Sequence, residues 1–290
     1  YQQSPRGFSW ADIKLRSCHK ILQLWKEVNM LGKKHLLFFI LICVVSLTGC
    51  TLFGVSGPTL PNTGGDDSGG ETGSDYGTLA GMVYHAGFSD AKLQAGQVEI
   101  DGRTVPIKNG VYEIENLPNG TYTMRVTKQW YKPAEIQVVV QGATIQNVEM
   151  IPDLTFNELD LFARLVHSES QGEIETGQIA VAATVLNRVL HPDYPNTISG
   201  VINEVTIVNG VKYYQYEPVL NGRINLPAGT TAKNAVKYAL AGVDPTYGAT
   251  GFFAHKLVPQ YNSSGRRAWV WEQWDKDPYK IRIGNHSFFR

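Results

Sequence analysis

The chain has 290 residues, 43% of them apolar and 18% charged, so a folded core is expected over at least part of its length. Its 26 basic and 26 acidic side chains cancel, and nothing in that balance points to nucleic acid. The three cysteines all lie at or before position 50, which leaves nothing downstream for a disulfide framework or a cysteine-peptidase nucleophile.

Residues 1–29 precede the first methionine suited to a start and read as translated upstream sequence outside the fold. From Met30 the chain runs MLGKKHLLFFILICVVSLTGC. Lys33 and Lys34 form a basic n-region, and Leu36 to Val45 an apolar h-region, short of the roughly 20 residues a membrane span needs. The segment closes on Leu47-Thr48-Gly49-Cys50, which resembles a bacterial lipobox. That resemblance makes 30–50 a lipoprotein signal peptide and Cys50 the lipidated mature N-terminus. The protein is then exported, lipid-anchored to the bacterial membrane and facing the cell wall. The alternative, an uncleaved signal anchor, exports the rest equally.

Residues 51–77 are rich in Gly, Ser, Thr and Asp without apolar periodicity and read as a flexible linker. Residues 78–151 hold six or seven short Val-, Ile-, Tyr- and Thr-rich runs, several alternating apolar with polar. Asp101-Gly102, Asn109-Gly110 and Asn119-Gly120 supply turn signals between them. A small all-β sandwich is expected. Gly110, Tyr112, Ile114, Leu117, Pro118, Gly120 and Tyr122 resemble the signature of carboxypeptidase-regulatory-like sandwich modules. That resemblance implies a spacer, with carbohydrate binding as the alternative.

Residues 154–290 read as a helix-led α+β domain. Thr155 to Glu158 has the form of a capping box, and Leu159, Phe162, Leu165 and Val166 make a helical stripe that Gly172 is expected to end. A second helix is expected over about 176–191, a short third over 198–205, and another over about 231–240 ended by Gly242. Asn209-Gly210 predicts a hairpin, and TGFFAH, AWVWEQW and KIRIGNHSFF read as strands. The alternation of Trp269 and Trp271 about Val270 puts at least one tryptophan face in the core.

Glu169 is the anomaly. It follows Leu159, Phe162 and Val166 at spacings of three, four and three, so it continues the apolar face of the first helix. Partial burial and the negative end of the helix dipole both push a carboxyl pKa upward, as a general acid requires. The bland alternative is a surface glutamate paired with Arg164 or a lysine.

The stretch ARLVHSESQGEIETGQIAVAATVLNRV, with QYEPVLNGRINLP from Gln215 and IGNHSFF from Ile283, resembles the catalytic domain of SleB-type cell wall hydrolases, the spore cortex-lytic enzymes. The resemblance covers essentially all of 156–290. It implies a lysozyme-like fold and cleavage of peptidoglycan between N-acetylmuramic acid and N-acetylglucosamine, with Glu169 as the catalytic acid. It departs from the family pattern at Tyr216, at Phe252-Phe253, and in lacking peptidoglycan-binding repeats, so the substrate is cortex or vegetative wall.

The resemblance offers one secure carboxylate. A single Glu suffices if it protonates the leaving oxygen and then takes the proton of the sugar 6-hydroxyl, the lytic transglycosylase outcome with 1,6-anhydromuramic ends. Glu173 and Glu217 are possible supporting carboxylates; Glu173 reads better as a loop brace and Glu217 as a structural partner of Arg223. Gln215, Tyr216, Phe253, Asn285 and His286 are the candidates for substrate binding, with core packing the alternative for the aromatics. His167, His191, His255 and His286 lack metal-ligand spacing, no H-E-x-x-H or G-x-S-x-G occurs, and no cofactor is expected. The rival functions are an N-acetylmuramoyl-L-alanine amidase and a non-catalytic wall-binding lipoprotein.

Overall fold

The computed structural model describes residues 75–290. The expected upstream extension, signal peptide and lipidation site at Cys50, and nearly all of the expected linker, lie outside the described residues. The first strand begins inside the expected linker: β1 (Tyr76–His85) already pairs Tyr76 with Pro118 and Gly77 with Leu117. Gly77 is there for a packing reason, since a Cβ at that position would fall on the Gly142 carbonyl oxygen.

Eight more strands follow: β2 (Phe88–Lys92), β3 (Gln97–Ile100), β4 (Arg103–Pro106), β5 (Val111–Pro118), β6 (Gly120–Thr127), β7 (Ala134–Val140), β8 (Ala143–Ile145) and β9 (Val148–Met150). β1 pairs antiparallel with β2 and β5 and in parallel with the short β8 and β9. The other sheet runs β4-β3-β6-β7, antiparallel throughout. Inward positions alternate along the strands, so Leu79 and Val83, Tyr112 and Ile114, Met124 and Val126, and Val138 and Val140 are all buried.

Asp101-Gly102 and Asn109-Gly110 adopt the paired left-handed backbone of tight turns, at φ 50° and 70° and at 50° and 77°. Asn119-Gly120 does not. β5 and β6 belong to different sheets, so Asn119 carries the chain across rather than back, and its side chain accepts from the Gly142 amide at 3.1 Å.

The helical part opens with α1 (Phe156–Ser170), whose capping box is complete: the Glu158 amide donates to Thr155 Oγ1 at 3.2 Å and the Thr155 amide to Glu158 Oε2 at 2.9 Å. Gly172 does not end α1 with a left-handed turn; the cap is Gln171 in the right-handed region, and a Cβ at 172 would meet open space. α2 (Glu175–Leu190) is buried nearly all round and forms the centre of the domain. α3 (Ile198–Ile202), the hairpin of β10 (Val205–Val208) and β11 (Val211–Tyr214), α4 (Glu217–Asn221), a 3-10 turn (Arg223–Asn225) and α5 (Thr230–Ala241) follow. The Asn209-Gly210 turn and the left-handed Gly242 after α5 stand where expected.

Three strands make the last sheet: β12 (Gly251–Ala254), β13 (Ile281–Ile283) and β14 (His286–Phe289), in the order β12-β14-β13. AWVWEQW is not a strand. It forms α6 (Trp269–Lys276), burying Trp271 and leaving Trp269 65% exposed. Two residues apart on a helix point in nearly opposite directions, so alternation was the wrong period; Trp271 and Trp274, three apart, share the inward face.

The strand-rich module is packed on the helical domain. Phe88 of β2 meets Tyr238 of α5 edge-on at 5.3 Å between ring centres, and Lys237 Nζ lies 4.6 Å above the Phe88 ring. The Gln94 amide donates at 2.8 Å to the carbonyl of Ala241, one of the groups a helix end leaves without an internal partner.

Candidate active site

The chemistry-bearing residues gather where α1 ends. Glu169 sits in the last turn of α1, beside the start of α4 and the 3-10 turn. Ser168 Oγ donates to the Arg223 carbonyl at 3.0 Å and ties the helix to that turn. Burial, then the neighbouring Glu217 carboxylate, push the Glu169 pKa up to about 7, against the opposing pull of the Arg223 and Arg188 guanidiniums. The direction agrees with the expectation from the stripe. Arg164, the alternative partner, is bonded to Asp160 at 3.0 Å.

Glu217 does not pair with Arg223. Among the described residues its hydrogen bond comes from Asn221 Nδ2 at 3.4 Å, one turn on in α4. Its role at the site is therefore electrostatic, a second negative charge that favours a protonated Glu169.

Tyr216 is 2% exposed. Its ring lies under the Arg188 guanidinium at 5.2 Å and 6.5 Å from Phe252, and burial leads in pushing its pKa up to about 12, with Glu169 among the neighbouring charges. A ring this buried offers no face for a sugar to stack on, and its phenol stays protonated. Gln215 is exposed, its amide bonded to the Glu204 carbonyl at 3.1 Å.

Phe253 is placed away from this group. It packs into an aromatic cluster with Trp271 (4.8 Å) and Phe289 (6.2 Å). Its neighbour Phe252 is the one that faces the site, between Tyr216, His286 (5.4 Å) and Phe288 (5.8 Å). Strand alternation sends the two to opposite faces of β12, and the sequence does not say which is which.

Asn285 and His286 lie beyond Phe252 and are held by Glu173. The Asn285 amide donates to Glu173 Oε2 at 2.9 Å, its Nδ2 donates to Oε1 at 3.0 Å, and His286 Nδ1 lies 3.8 Å from Oε1. Burial opposes ionisation of Glu173, but the two Asn285 hydrogen bonds, with His286 and Lys256 near, outweigh it and hold the carboxyl below the ordinary range. A carboxylate so engaged is a brace. Burial likewise leads in depressing the His286 pKa, so the imidazole is neutral near pH 7.

Arg188 belongs to the site as well, a residue to which the sequence motifs assign no role. It is 8% exposed, donates from Nε to the Thr250 carbonyl at 2.6 Å, and lies 5.2 Å from the rings of both Tyr194 and Tyr216. The available signal was a guanidinium inside the apolar run of α2, a position where an arginine needs partners. Among the described residues no group of three or more His, Cys, Asp or Glu side chains is placed to hold a metal ion.

Residues 172–289 match the family model described as Cell Wall Hydrolase, a span that opens three residues after Glu169. The chain is 36% identical over 147 residues to a spore cortex-lytic enzyme of Halalkalibacterium halodurans, covering 50% of this chain and 39% of that one. It is 39% identical over 132 residues to the spore cortex-lytic enzyme of Bacillus cereus, covering 46% and 44%. The matches thus span well under half of these relatives' own length. Among solved structures, the catalytic domain of the germination-specific lytic transglycosylase SleB from Bacillus anthracis is 34% identical, covering 48% of this chain and 98% of that one, with a TM-score of 0.39.

Proposed function

We propose that this chain, which carries a cell wall hydrolase domain of the SleB type, cleaves the glycan strands of peptidoglycan between N-acetylmuramic acid and N-acetylglucosamine. Glu169 is the catalytic acid. The single observation that carries this reading is a half-buried carboxyl in the last turn of α1 whose pKa is pushed up to about 7 by burial and by Glu217. Such a group still holds its proton near neutral pH and can give it to the glycosidic oxygen as the bond to the ring carbon breaks.

The leaving chain departs with that proton, and the muramyl ring passes through an oxocarbenium-like state. Glu169, now ionised, takes the proton of the 6-hydroxyl, whose oxygen closes onto the ring carbon. The product is a 1,6-anhydromuramic end, so the enzyme is a lytic transglycosylase with one catalytic glutamate. Glu217 raises the affinity of Glu169 for its proton, and the Glu173–Asn285–His286 brace fixes the segment beyond Phe252. Gln215, Asn285, His286 and Phe252 line the substrate path.

The domain order follows from the same reading: a signal peptide ending at Cys50, a linker, a carboxypeptidase-regulatory-like sandwich over about 76–151 and a lysozyme-like catalytic domain over 154–290. Lipid at Cys50 holds the enzyme on the outer face of the membrane, against the wall.

The test is digestion of purified cortex and vegetative sacculi by the full chain and by Glu169→Gln, with products identified by mass spectrometry. Anhydromuramic ends from the unmodified chain alone are expected. Reducing muramic ends would replace transglycosylation by hydrolysis, and free peptides with intact strands would make the enzyme an amidase. Equal cutting by the variant would remove Glu169 from the mechanism.

A further inference from the structure

Beyond the Glu173–Asn285 brace the chain gathers cations that make no direct ion pair, Lys256 reaching Glu173 only through Asn285. Arg282 of β13 lies 4.7 Å and Lys280 lies 4.8 Å from the ring of Trp274, so one indole holds two like charges. Arg282 also lies 5.9 Å from the Trp271 ring. Lys256, after β12, donates to Asn285 Oδ1 at 3.1 Å, and Lys280 donates to the Asp275 carbonyl at 2.7 Å. Among the described residues no carboxylate lies within 4 Å of the Lys256, Lys280 or Arg282 head groups. The neighbouring acids are engaged: Glu173 with Asn285, and Asp275 with Arg267 at 2.6 Å.

Gathering like charges costs Coulomb energy, and an exposed cation–π contact offsets only part of it. Burial leads in depressing the His255 pKa, with the Arg282 and Lys256 charges adding to it, which puts His255 in the same field. Lys256 and Arg282 are exposed. The group is continuous with the candidate site through Asn285 and His286, and through Phe252, which touches both His286 and Tyr216.

From Lys256, Lys280 and Arg282 gathered without carboxylate partners at the His286 end of the site, we infer an anion subsite that takes a carboxylate carried by the stem peptides of the glycan strand. It rests on the reading of the chain as a peptidoglycan enzyme and sharpens the substrate: strands bearing charged peptides are preferred to strands without them. The fixed cations meet a carboxylate with no further ordering of Trp274 or the β13–β14 turn, which favours binding.

The test measures binding, in the full chain carrying Glu169→Gln so that no turnover enters. Co-sedimentation is followed at low and high salt with sacculi, with sacculi freed of phosphodiester polymers, and with glycan strands freed of stem peptides. Adding Lys256→Gln and Arg282→Gln is expected to weaken binding to both peptide-bearing preparations about tenfold or more and to flatten its salt dependence. Binding to peptide-free strands stays the same. Arg282→Lys keeps the charge and most of the affinity.

Equal loss on peptide-free strands, or no loss anywhere, overturns the subsite. A fall in binding once the phosphodiester polymers are removed makes the anion a phosphate and also overturns it. If the double variant fails to fold, the salt dependence of the Glu169→Gln protein on peptide-bearing against peptide-free strands decides the same question. If the Glu169→Gln chain binds in this pattern while the unmodified chain releases no cut strands, only the glycosidase reading is contradicted.

Discussion

Glu173 accepts two hydrogen bonds from Asn285, one from its amide at 2.9 Å and one from its side chain at 3.0 Å, and so joins the segment after α1 to the β13–β14 turn 112 residues later. Gly284, left-handed at φ 59°, lies so close that a Cβ there would fall on Glu173 Oε2. Removing the carboxylate leaves the Asn285 amide without its charged acceptor. Glu173→Ala should cost about 2–3 kcal/mol, read from chemical denaturation. Because the folded pKa lies below the ordinary value, this contribution is present above that value and is lost as pH falls through the folded one. The gap between the two proteins should therefore close in acid.

Glu169 behaves oppositely. Its folded pKa of about 7 lies above the unfolded value, so between roughly pH 4.3 and 7 the folded chain holds a proton that the unfolded chain has lost. Stability should fall with rising pH across that window, and Glu169→Gln should remove the slope. If Glu169 is the acid, kcat/KM should also decline as pH rises through about 7. Glu217→Gln removes a raising charge and should move that limb to lower pH; Arg223→Gln should move it to higher pH. A limb unmoved by either change counts against the coupling.

Arg188 is locked by shape as well as charge, with Nε on the Thr250 carbonyl and its plane near two tyrosine rings. Lysine keeps the charge but has neither the fork nor the flat face. Arg188→Lys should cost about 2–3 kcal/mol, nearly as much as Arg188→Met, so the two variants should unfold at similar temperatures, both below the parent. A lysine variant as stable as the parent would reduce Arg188 to a point charge.

The strand-rich module should not unfold on its own. Phe88→Ala deletes the contacts with Tyr238 and Lys237 and should cost about 1–3 kcal/mol. Calorimetry should show one transition for the parent chain and two for the variant. Two transitions in the parent would mean the contact with α5 contributes little.

Much of the local structure was legible because it depends on neighbours in sequence. The Thr155–Glu158 capping box, the Asn-Gly turns at 109 and 209 and the glycine after α5 rest on interactions within a few residues. Alternation failed at Trp269–Trp274 because a short aromatic run fits period 2 and period 3.6 equally, and only the aromatic cluster behind Trp271 selects the helix. Asn119-Gly120 failed for a similar reason: its turn type follows from which sheet each flanking strand joins.

By itself the sequence determined that one carboxylate, Glu169, lies on the apolar face of the first helix, since helical periodicity alone places it there. Only the tertiary structure decided what surrounds it. Tyr216, Glu217 and Arg223 come from one later segment and Arg188 from α2, while the clasp of Asn285 by Glu173 joins residues 112 apart. Whether Phe252 or Phe253 faces the site, and whether Tyr216 offers its ring or buries it, depends on which partners reach each side of β12 and α4. A carboxyl pKa responds to burial and charge in space, so the rise to about 7 exists only once those elements are packed.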